Sequence, residues 1–313
     1  MARHELGPAS LAVAQAVAAV LPCGPVTVGC SGGPDSLALA LGARWAATRC
    51  DTEVHCVVID HGLQPSSGEV ARRVVEQLAA EGMSAESRRV TIAADAPGGP
   101  EAAARDARLE ALSSDGSPVL LGHTLDDQAE SVLLGLLRGS GTRSLSGMAR
   151  VRGHFIRPLL ELRRATTVAA CEEWGVSTWQ DPHNLDDRFR RVRARHHLGD
   201  LSNAMGQDVA PSLARSATLT RMDADLLDKL AADAAAGLNL GGDLPVQAVA
   251  DLPDALRLRI LRDWLGALGA SEISMAHVMA VDALITDWRG QGPVNLPGGR
   301  VQRHGIMLHC GDA

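Results

Sequence analysis

A short loop rich in glycine and serine follows an apolar segment near the start of the chain. Residues 26–30 are typical of a buried strand, and an alanine- and leucine-rich helix pattern follows the loop. Glycine lets backbone N–H groups turn inward without a Cβ clash, and a helix that begins there adds its own unpaired N–H groups. The sequence therefore predicts a polyphosphate site, with an ordinary strand-to-helix turn as the alternative. The loop consists of Ser31, Gly32, Gly33, Pro34, Asp35 and Ser36.

The lysine content of the chain separates this loop from the commonest phosphate-binding loop. Lys229 is the only lysine among thirty basic residues, and Leu230 follows it. A Walker A loop needs a lysine that is followed by serine or threonine, so that class of nucleotide-binding protein is excluded. No Gly-x-Gly-x-x-Gly motif follows a predicted strand, which argues against a dinucleotide-binding fold.

Two further groups of polar residues lie at or after the ends of predicted strands. Asp60 and His61 end the second strand, where they could reach a ribose or a substrate, with a strand-end turn as the alternative. Glu101, Arg105 and Arg108 share one helix face because of their spacing. Arg105 is predicted to bind a phosphate or a substrate carboxylate, and surface ion pairs are the alternative.

A third group opens the helix after the fourth predicted strand. Gly122 and His123 come first, and Asp127 and Glu130 share a face because they are three residues apart. Acidic residues in a first turn also stabilise the helix dipole, which is the structural alternative. Beside a nucleotide site, the two carboxylates are predicted to hold Mg²⁺ or a cationic amine.

Positive charge is concentrated in one part of an acidic chain. The net charge is −7, yet residues 138–195 contain twelve arginines and only six acidic residues. Arginine offers a planar fork that suits phosphate. This excess of positive charge next to a nucleotide site favours RNA binding over a merely solvated helix face.

The order of the predicted elements brings these groups together. Strands are predicted at residues 26–30, 54–59, 88–92 and 119–122, and helices at 36–47, 68–81, 100–113 and 126–137. This alternation indicates an α/β fold with a doubly wound parallel sheet, in which ligands bind at the carboxyl ends of the strands. The pattern is mainly helical after residue 161, with a short hairpin predicted at 293–310.

The length of the chain indicates one large domain and one smaller domain. Residues 1–200 are predicted to form the catalytic domain, 201–237 a helical linker, and 238–313 a small, mainly helical C-terminal domain. The C-terminal domain is a candidate for contact with RNA.

Three features predict a soluble protein of the cytoplasm. The six cysteines are scattered without a Cys-x-x-Cys pair, which indicates reduced thiols and no zinc or iron–sulfur site. Residues 11–21 are apolar, but Glu5, Gln15 and the strand that follows favour a helix covering the sheet over a signal peptide. No apolar stretch is long enough to span a membrane.

Residues 31–36 resemble the pyrophosphate-binding loop of the N-type ATP pyrophosphatases, the PP-loop superfamily. Further segments in the same order resemble one branch of it, the tRNA(Ile)-lysidine synthetases, over about residues 24–200. His183 and Val192 depart from the residues usual in that family. The matching segments are 31–36, 60–63, 101–108, 122–130, 138–141 with 147–148, 157–160, and 179–182 with Asn184 onward.

The resemblance implies an adenine nucleotide alpha hydrolase-like fold and a ligase that forms a carbon–nitrogen bond. Members of this family join free lysine to carbon 2 of the wobble cytidine in a CAU-anticodon tRNA(Ile), through an adenylated tRNA. The codon specificity changes from AUG to AUA, and ATP becomes AMP and diphosphate with the help of Mg²⁺. The oligomeric state stays open, with a dimer as one candidate.

The resemblance also implies roles for the candidate residues. Asp127 and Glu130 would hold the amine groups of lysine, Arg105 its carboxylate or the α-phosphate, and Asp35 would place Mg²⁺. These four form the predicted catalytic set: Asp35, Arg105, Asp127 and Glu130. ATP would contact the loop at 31–36 together with Asp60, His61, Gly122 and His123. The tRNA backbone would contact Arg138, Arg143, Arg191 and Arg195.

Three other functions stay open from the sequence. A tRNA thiolase would share the fold but would usually need paired or catalytic cysteines. An NAD or GMP synthetase would share the loop but would not need the arginines of residues 138–195. A nucleotide-binding module without catalysis would have no use for Asp127 and Glu130 beside the loop.

Overall fold

The computed structural model describes residues 5–62, 67–91, 100–139, 141–179, 187–270 and 273–311. The chain divides into two compact units. The first unit is Met1–Gly139 with Gly147–Ala217, and the second unit is Ser140–Ser146 with Thr218–Ala313.

Helices and strands alternate through the first half of the chain. In chain order the helices are α1 (Pro8–Ala18), α2 (Pro34–Ala47), α3 (Ser67–Ala80), α4 (Pro100–Leu112), α5 (Leu125–Leu137), α6 (Thr142–Leu145), α7 (Arg164–Glu173), α8 (Arg190–Met205), α9 (Ala210–Ala234), α10 (Gln247–Ala250), α11 (Asp254–Ala267) and α12 (Met275–Thr286). The strands are β1 (Gly24–Gly29), β2 (Thr52–Asp60), β3 (Ser84–Arg89), β4 (Val119–Leu121), β5 (Val151–Arg152), β6 (Phe155–Ile156), β7 (Leu244–Pro245), β8 (Val294–Leu296), β9 (Gly299–His304) and β10 (Met307–Gly311).

A mostly parallel sheet forms the centre of the first unit. Its strand order is β3-β2-β1-β4-β6-β5, and only the β5–β6 pair is antiparallel. Most valines and leucines of β1, β2 and β4 are buried, as expected of parallel strands that are covered by helices. Val13 and Val17 of α1 belong to the same core, so the apolar N-terminal segment is a helix packed in this unit.

The direction of the chain reverses at β1. It moves outward through β2 and β3 and then crosses to β4 on the other side of β1. Such a reversal opens a crevice at the carboxyl ends of the two strands that flank the switch point. The loop after β1 and the turn after β4 meet at this place.

The predicted α/β class and parallel sheet are confirmed. The four predicted strands and the four helices that follow them differ from the observed bounds by four residues at most. The largest difference is at β3, an edge strand whose polar sequence, Ser-Ala-Glu-Ser-Arg-Arg, carries little hydrophobic signal. The two-residue strands β5 and β6 were not predicted because they are too short to give a periodic pattern.

The second unit contains helices and an antiparallel sheet. The hairpin predicted at 293–310 is part of a four-stranded sheet with the order β7-β10-β9-β8. Trp264 of α11 is fully buried there and donates from Nε1 to the Gly242 carbonyl over 2.7 Å. The helical segment predicted at 201–236 corresponds to the end of α8 and to α9, and the division between the units falls within α9. In the described ranges, no helix combines the length and the apolar character needed to cross a membrane.

Candidate active site

The loop between β1 and α2 is held in shape by its own serines. The Ser31 amide donates to Ser36 Oγ over 3.0 Å, and Ser36 Oγ donates to the Gly33 carbonyl over 3.0 Å. Ser36 therefore shapes the loop, whereas Ser31 is exposed. The amides of Asp35 and Ser36 belong to the first turn of α2, which has no intrahelical acceptors for them. The loop thus places N–H donors and the positive end of a helix dipole together.

Two glycines allow the close packing of this loop. Gly32 has a φ of +82°, and a Cβ there would lie 2.5 Å from Val74 Cγ2. Gly122, just after β4, approaches α2 so closely that an added Cβ would lie 2.9 Å from the Asp35 carbonyl oxygen. The two chain segments at the switch point are therefore in direct backbone contact, and Gly122 and His123 lie beside the predicted phosphate loop.

Asp127 uses its two carboxylate oxygens differently. Oδ2 accepts hydrogen bonds from the amide and the hydroxyl of Thr124 over 2.7 and 2.9 Å, which caps the start of α5. Oδ1 lies 2.5 Å from Arg164 Nη2. The structural alternative considered from the sequence, in which Asp127 stabilises the start of α5, is therefore present. It occupies only Oδ2.

Arg164, the first residue of α7, contacts all three acidic residues of the predicted catalytic set. Its Nε lies 3.1 Å from Asp35 Oδ2, and its Nη1 lies 3.3 Å from Glu130 Oε1, in addition to the contact with Asp127. Three carboxylates from two helices therefore surround one cation. We call Asp35, Asp127 and Glu130 the acidic cluster.

The turn that starts α5 also fixes the position of Arg164. Asp126 Oδ2 accepts a hydrogen bond from the Arg164 amide over 2.7 Å and so caps the start of α7. The Leu125 amide donates to the Leu162 carbonyl over 2.9 Å. Arg163 binds the same carboxylate, with Nη2 2.9 Å from Asp126 Oδ1. The starts of α5 and α7 are therefore joined through their backbones.

Burial and neighbouring charges oppose each other in this cluster. Burial is the larger effect at Asp35 and raises the pKa of that carboxyl, while the Thr167 hydroxyl and Arg164 act to lower it. Thr167 Oγ1 forms a hydrogen bond with Asp35 Oδ1. Burial acts to lower the pKa of Arg164, but the attraction of the acidic cluster outweighs it and raises that pKa. Arg164 therefore remains charged.

Glu130 is the most buried member of the acidic cluster. Its side chain is 2% exposed, and Arg195 Nε lies 2.7 Å from Oε1. Oε2 is buried and receives no hydrogen bond from the residues that the structure describes. A buried carboxylate oxygen without a donor is costly, so this oxygen is suited to a donor on a ligand.

Asp60 ends β2, the strand next to β1, and His61 follows it. Hydrogen bonds from the Ser67 side chain and the Gly62 amide lower the pKa of Asp60, whose carboxylate shapes the turn after β2.

His123 follows β4, and burial lowers its pKa to about 3. The His123 ring is therefore neutral at the switch point.

Arg105, Arg108 and Arg191 lie near one another and lack acidic partners in the described ranges, and two of them, Arg108 and Arg191, also act on His123. Burial lowers the pKa of Arg108 on α4, and the positive charges of Arg105 and Arg191 lower it further. Arg108 Nε is buried without an acceptor. A group of cations without a carboxylate favours an anionic ligand.

The four arginines that were predicted to hold RNA have different surroundings. Arg138 is exposed at the end of α5 and Arg191 is half-buried, and neither pairs with an acidic residue that the structure describes. Arg195 binds Glu130 in the first unit. Arg143, in the second unit, binds Asp225 over 2.6 Å and also binds Asp228. Two of the four charges are thus balanced within the protein.

Sequence reasoning did not single out Arg164 or Thr167. Asp35 and Arg164 are 129 residues apart in the chain, so no local spacing connects them. The available signal was a pair of arginines at the start of a helical pattern, just after the family-like segment 157–160. The family-like residues 180–186, with His183 and Asn184, lie outside the described residues, and so does the side chain of Glu101.

The described part of the chain contains no group of three or more His, Cys, Asp or Glu side chains that could hold a metal ion. Mg²⁺ usually binds one or two carboxylates together with substrate phosphates. Asp35, in the first turn behind the loop, fits that kind of shared site.

The fold and the loop define a PP-loop protein. Residues 12–201 match the PP-loop domain family, and residues 244–309 match the TilS substrate binding domain. The chain belongs to the tRNA(Ile)-lysidine synthase family, which confirms the resemblance seen in its sequence. It is 49% identical over 313 residues to the tRNA(Ile)-lysidine synthase of Cutibacterium acnes, covering 98% of each chain.

Further comparisons agree with this assignment. The chain is 48% identical over 281 residues to the tRNA(Ile)-lysidine synthase of Mycobacterium bovis, covering 87% of this chain and 84% of that protein. Among solved structures, the U34-tRNA thiolase NcsA from Methanococcus maripaludis matches with a TM-score of 0.56 and 17% identity. The match covers 68% of this chain and 78% of the thiolase. At this identity, the likeness supports the fold alone.

Proposed function

We propose that this chain is a ligase that joins free L-lysine to carbon 2 of the wobble cytidine of CAU-anticodon tRNA(Ile), forming lysidine. One observation carries the proposal. A loop rich in N–H donors and a cluster of three carboxylates lie together at the switch point of a PP-loop fold. The family of the chain supplies the substrates that match these two kinds of group.

The first half-reaction activates the cytidine. The phosphates of ATP bind the loop at 31–36, whose N–H donors stabilise the charge of the departing diphosphate. Asp35 is the carboxylate that would hold Mg²⁺, which would neutralise phosphate charge when bound. Oxygen 2 of the cytidine attacks the α-phosphorus, diphosphate leaves, and the tRNA carries an adenylate.

The second half-reaction forms the carbon–nitrogen bond. The ε-amine of lysine attacks carbon 2 of the activated cytidine, and AMP leaves with the oxygen. Two carboxylate oxygens are suited to the amine groups of lysine. Asp127 Oδ1 faces the acidic cluster, and Glu130 Oε2 lacks a donor among the described residues. Arg105 binds the lysine carboxylate or the α-phosphate, because it pairs with no acidic residue in the described ranges.

The RNA reaches the site as a single-stranded anticodon loop. A cytidine must leave its stack to enter such a pocket, and in a single-stranded anticodon loop this unstacking costs little free energy. Arg138 and Arg191 are best suited to the RNA backbone because their charges are not balanced by acidic residues in the described ranges. A protein that modifies tRNA acts in the cytoplasm, where we place this chain.

A tRNA thiolase is the nearest alternative by fold. Cys30 lies beside the loop, but it is 3% exposed, and burial raises the pKa of its thiol. Sulfur transfer needs an accessible thiolate or a cluster, and a buried thiol with a raised pKa is inert. This observation favours lysine transfer.

Incorporation of labelled lysine tests the proposal. The protein is incubated with ATP, Mg²⁺, labelled lysine and a tRNA(Ile) transcript that carries a CAU anticodon. We expect label in the RNA and one AMP for each lysine, with no incorporation into a matched transcript whose wobble base is uridine. Adenylation of the RNA without lysine transfer, or transfer that ignores the wobble base, would overturn the assignment.

A further inference from the structure

The donors of Arg164 are divided among the three members of the acidic cluster. Nε faces Asp35, Nη2 faces Asp127 and Nη1 faces Glu130, at 3.1, 2.5 and 3.3 Å. In the function proposed above, Asp35 serves the phosphates, whereas Asp127 and Glu130 serve the amine. One guanidinium group therefore touches both sides of the reaction centre.

The three carboxylates need such a partner because they lie close together and away from bulk water. Their side chains are 22%, 12% and 2% exposed for Asp35, Asp127 and Glu130. The negative charge of Asp127 acts on Asp35. Like charges at short range repel more strongly in a partly buried place than in water. Of the three acids, Arg195 binds Glu130 and neither Asp35 nor Asp127, so it does not replace Arg164.

Two hydrogen bonds near the start of α7 fix the orientation of Arg164 relative to the acidic cluster. Its amide is held by Asp126, and the Thr167 hydroxyl one turn later on α7 binds Asp35. The side chain of Arg164 is 23% exposed, so most of it is enclosed by protein. The planar fork of arginine can satisfy several carboxylates in fixed directions, which a lysine ammonium on a flexible stem cannot do.

We propose that Arg164 is a positioning residue that holds the phosphate-side carboxylate and the two amine-side carboxylates as one unit. The inference rests on the proposed function. Without Arg164 the three acids separate, so the sites for Mg²⁺ with ATP and for lysine lose their geometry together. A residue that only stabilised the fold would not link these two requirements.

Three variants test this role. Arg164→Gln removes the charge, Arg164→Lys keeps the charge without the fork, and Arg44→Gln is the matched control. Arg44 lies on α2, as Asp35 does, and binds Glu81 but none of the three acids. Each variant is first checked by thermal melting and by tRNA binding.

Two readouts follow the two sides of the site. The half-saturating lysine concentration is measured from incorporation into tRNA, and the Mg²⁺ requirement from stabilisation by ATP against thermal unfolding, without tRNA or lysine. For Arg164→Gln we expect both values to rise about tenfold or more, because hydrogen bonds to charged groups are lost. Arg164→Lys should restore one of them at most, and Arg44→Gln should leave both within about twofold of the parent.

The outcomes separate this inference from the proposed function. If Arg164→Gln lowers kcat while both half-saturation values stay within about twofold of the parent, the positioning role is wrong. The role is equally wrong if Arg164→Lys matches the parent in both values. If the parent protein incorporates no lysine, the proposed function fails, and the ATP stabilisation experiment still decides whether Arg164 positions Asp35.

Discussion

At the scale of single residues, Glu130 presents two unlike oxygens. Oε1 accepts from Arg164 and Arg195, whereas Oε2 is buried without a donor among the described residues. A carboxylate held on one side and open on the other is suited to an additional ammonium group. Asp127 also uses its two oxygens differently, since Oδ2 caps α5 and Oδ1 accepts from Arg164.

Substitution of Glu130 by Gln tests the open oxygen. The variant keeps the shape of the side chain but loses its charge, so the half-saturating lysine concentration should rise about 10- to 100-fold. The ATP requirement should change much less, and steady-state incorporation of labelled lysine measures both. Glu172→Gln, on an exposed surface of α7, is the control. A larger rise for ATP than for lysine would assign Glu130 to the nucleotide instead.

The burial of His123 makes the free energy of unfolding depend on pH, and a single substitution isolates this contribution. Burial lowers its pKa to about 3, whereas an unfolded histidine titrates near 6.5. As the pH falls below 6.5 the unfolded chain gains a proton that the folded chain does not, so the folded state loses stability. This loss is absent above about pH 7.

His123→Gln should remove this contribution. The free energy of unfolding of the parent protein should fall by up to about 1 kcal/mol more than that of the variant between pH 7 and pH 5.5. Urea unfolding at the two pH values gives the comparison, and other titrating groups cancel because both proteins contain them. Equal pH dependence in the two proteins would mean that the folded chain also protonates this ring.

At the scale of secondary structure elements, the site depends on the contact between α2 and the turn after β4. Gly122→Ala places a Cβ about 3 Å from the backbone of Asp35, and neither backbone can move freely. A displacement of about 1 Å at a reaction centre costs on the order of 100-fold in rate. We therefore expect a loss of that size in ATP-dependent AMP formation, measured with tRNA present.

A matched glycine controls for the substitution itself. Gly199 lies in α8, and an added Cβ there would meet no atom within 4 Å, so Gly199→Ala should keep full activity. Both variants should fold with the same circular dichroism spectrum. Full activity of Gly122→Ala would mean that the approach of the two segments is looser than the structure has it.

The elements themselves were largely predictable, and their contacts were not. Strands β1, β2 and β4 are buried apolar runs bounded by glycine or polar residues, so their local sequence marks them. Asp35, Asp127 and Glu130 could be chosen because they follow such strands. Arg164 could not, because its partners come from distant helices and only the folded backbone brings them to one guanidinium. Contacts with distant acidic residues also decided which arginines were balanced, and charge spacing alone does not report such contacts.

At the scale of the whole molecule, a protein with a net charge of −7 has to bind a polyanion. The excess of arginine in residues 138–195 overstates the available charge, since Arg143, Arg163, Arg164 and Arg195 all contact acidic residues. Arg138 and Arg191 have no such partner in the described ranges. Attraction for RNA should therefore come from fewer side chains than the sequence count indicates.

The salt dependence of tRNA binding measures how many of these charges meet phosphate. If about four to six phosphates are engaged, the logarithm of the association constant should fall with the logarithm of salt concentration at a slope of about −3 to −5. Arg191→Ala should make the slope about one unit less negative, because it removes a charge free to pair with RNA. Arg143→Ala should leave the slope unchanged, because Asp225 and Asp228 already balance that charge. Filter binding across a salt series gives the three slopes, and the reverse order for the two variants would place the RNA on the side of Arg143.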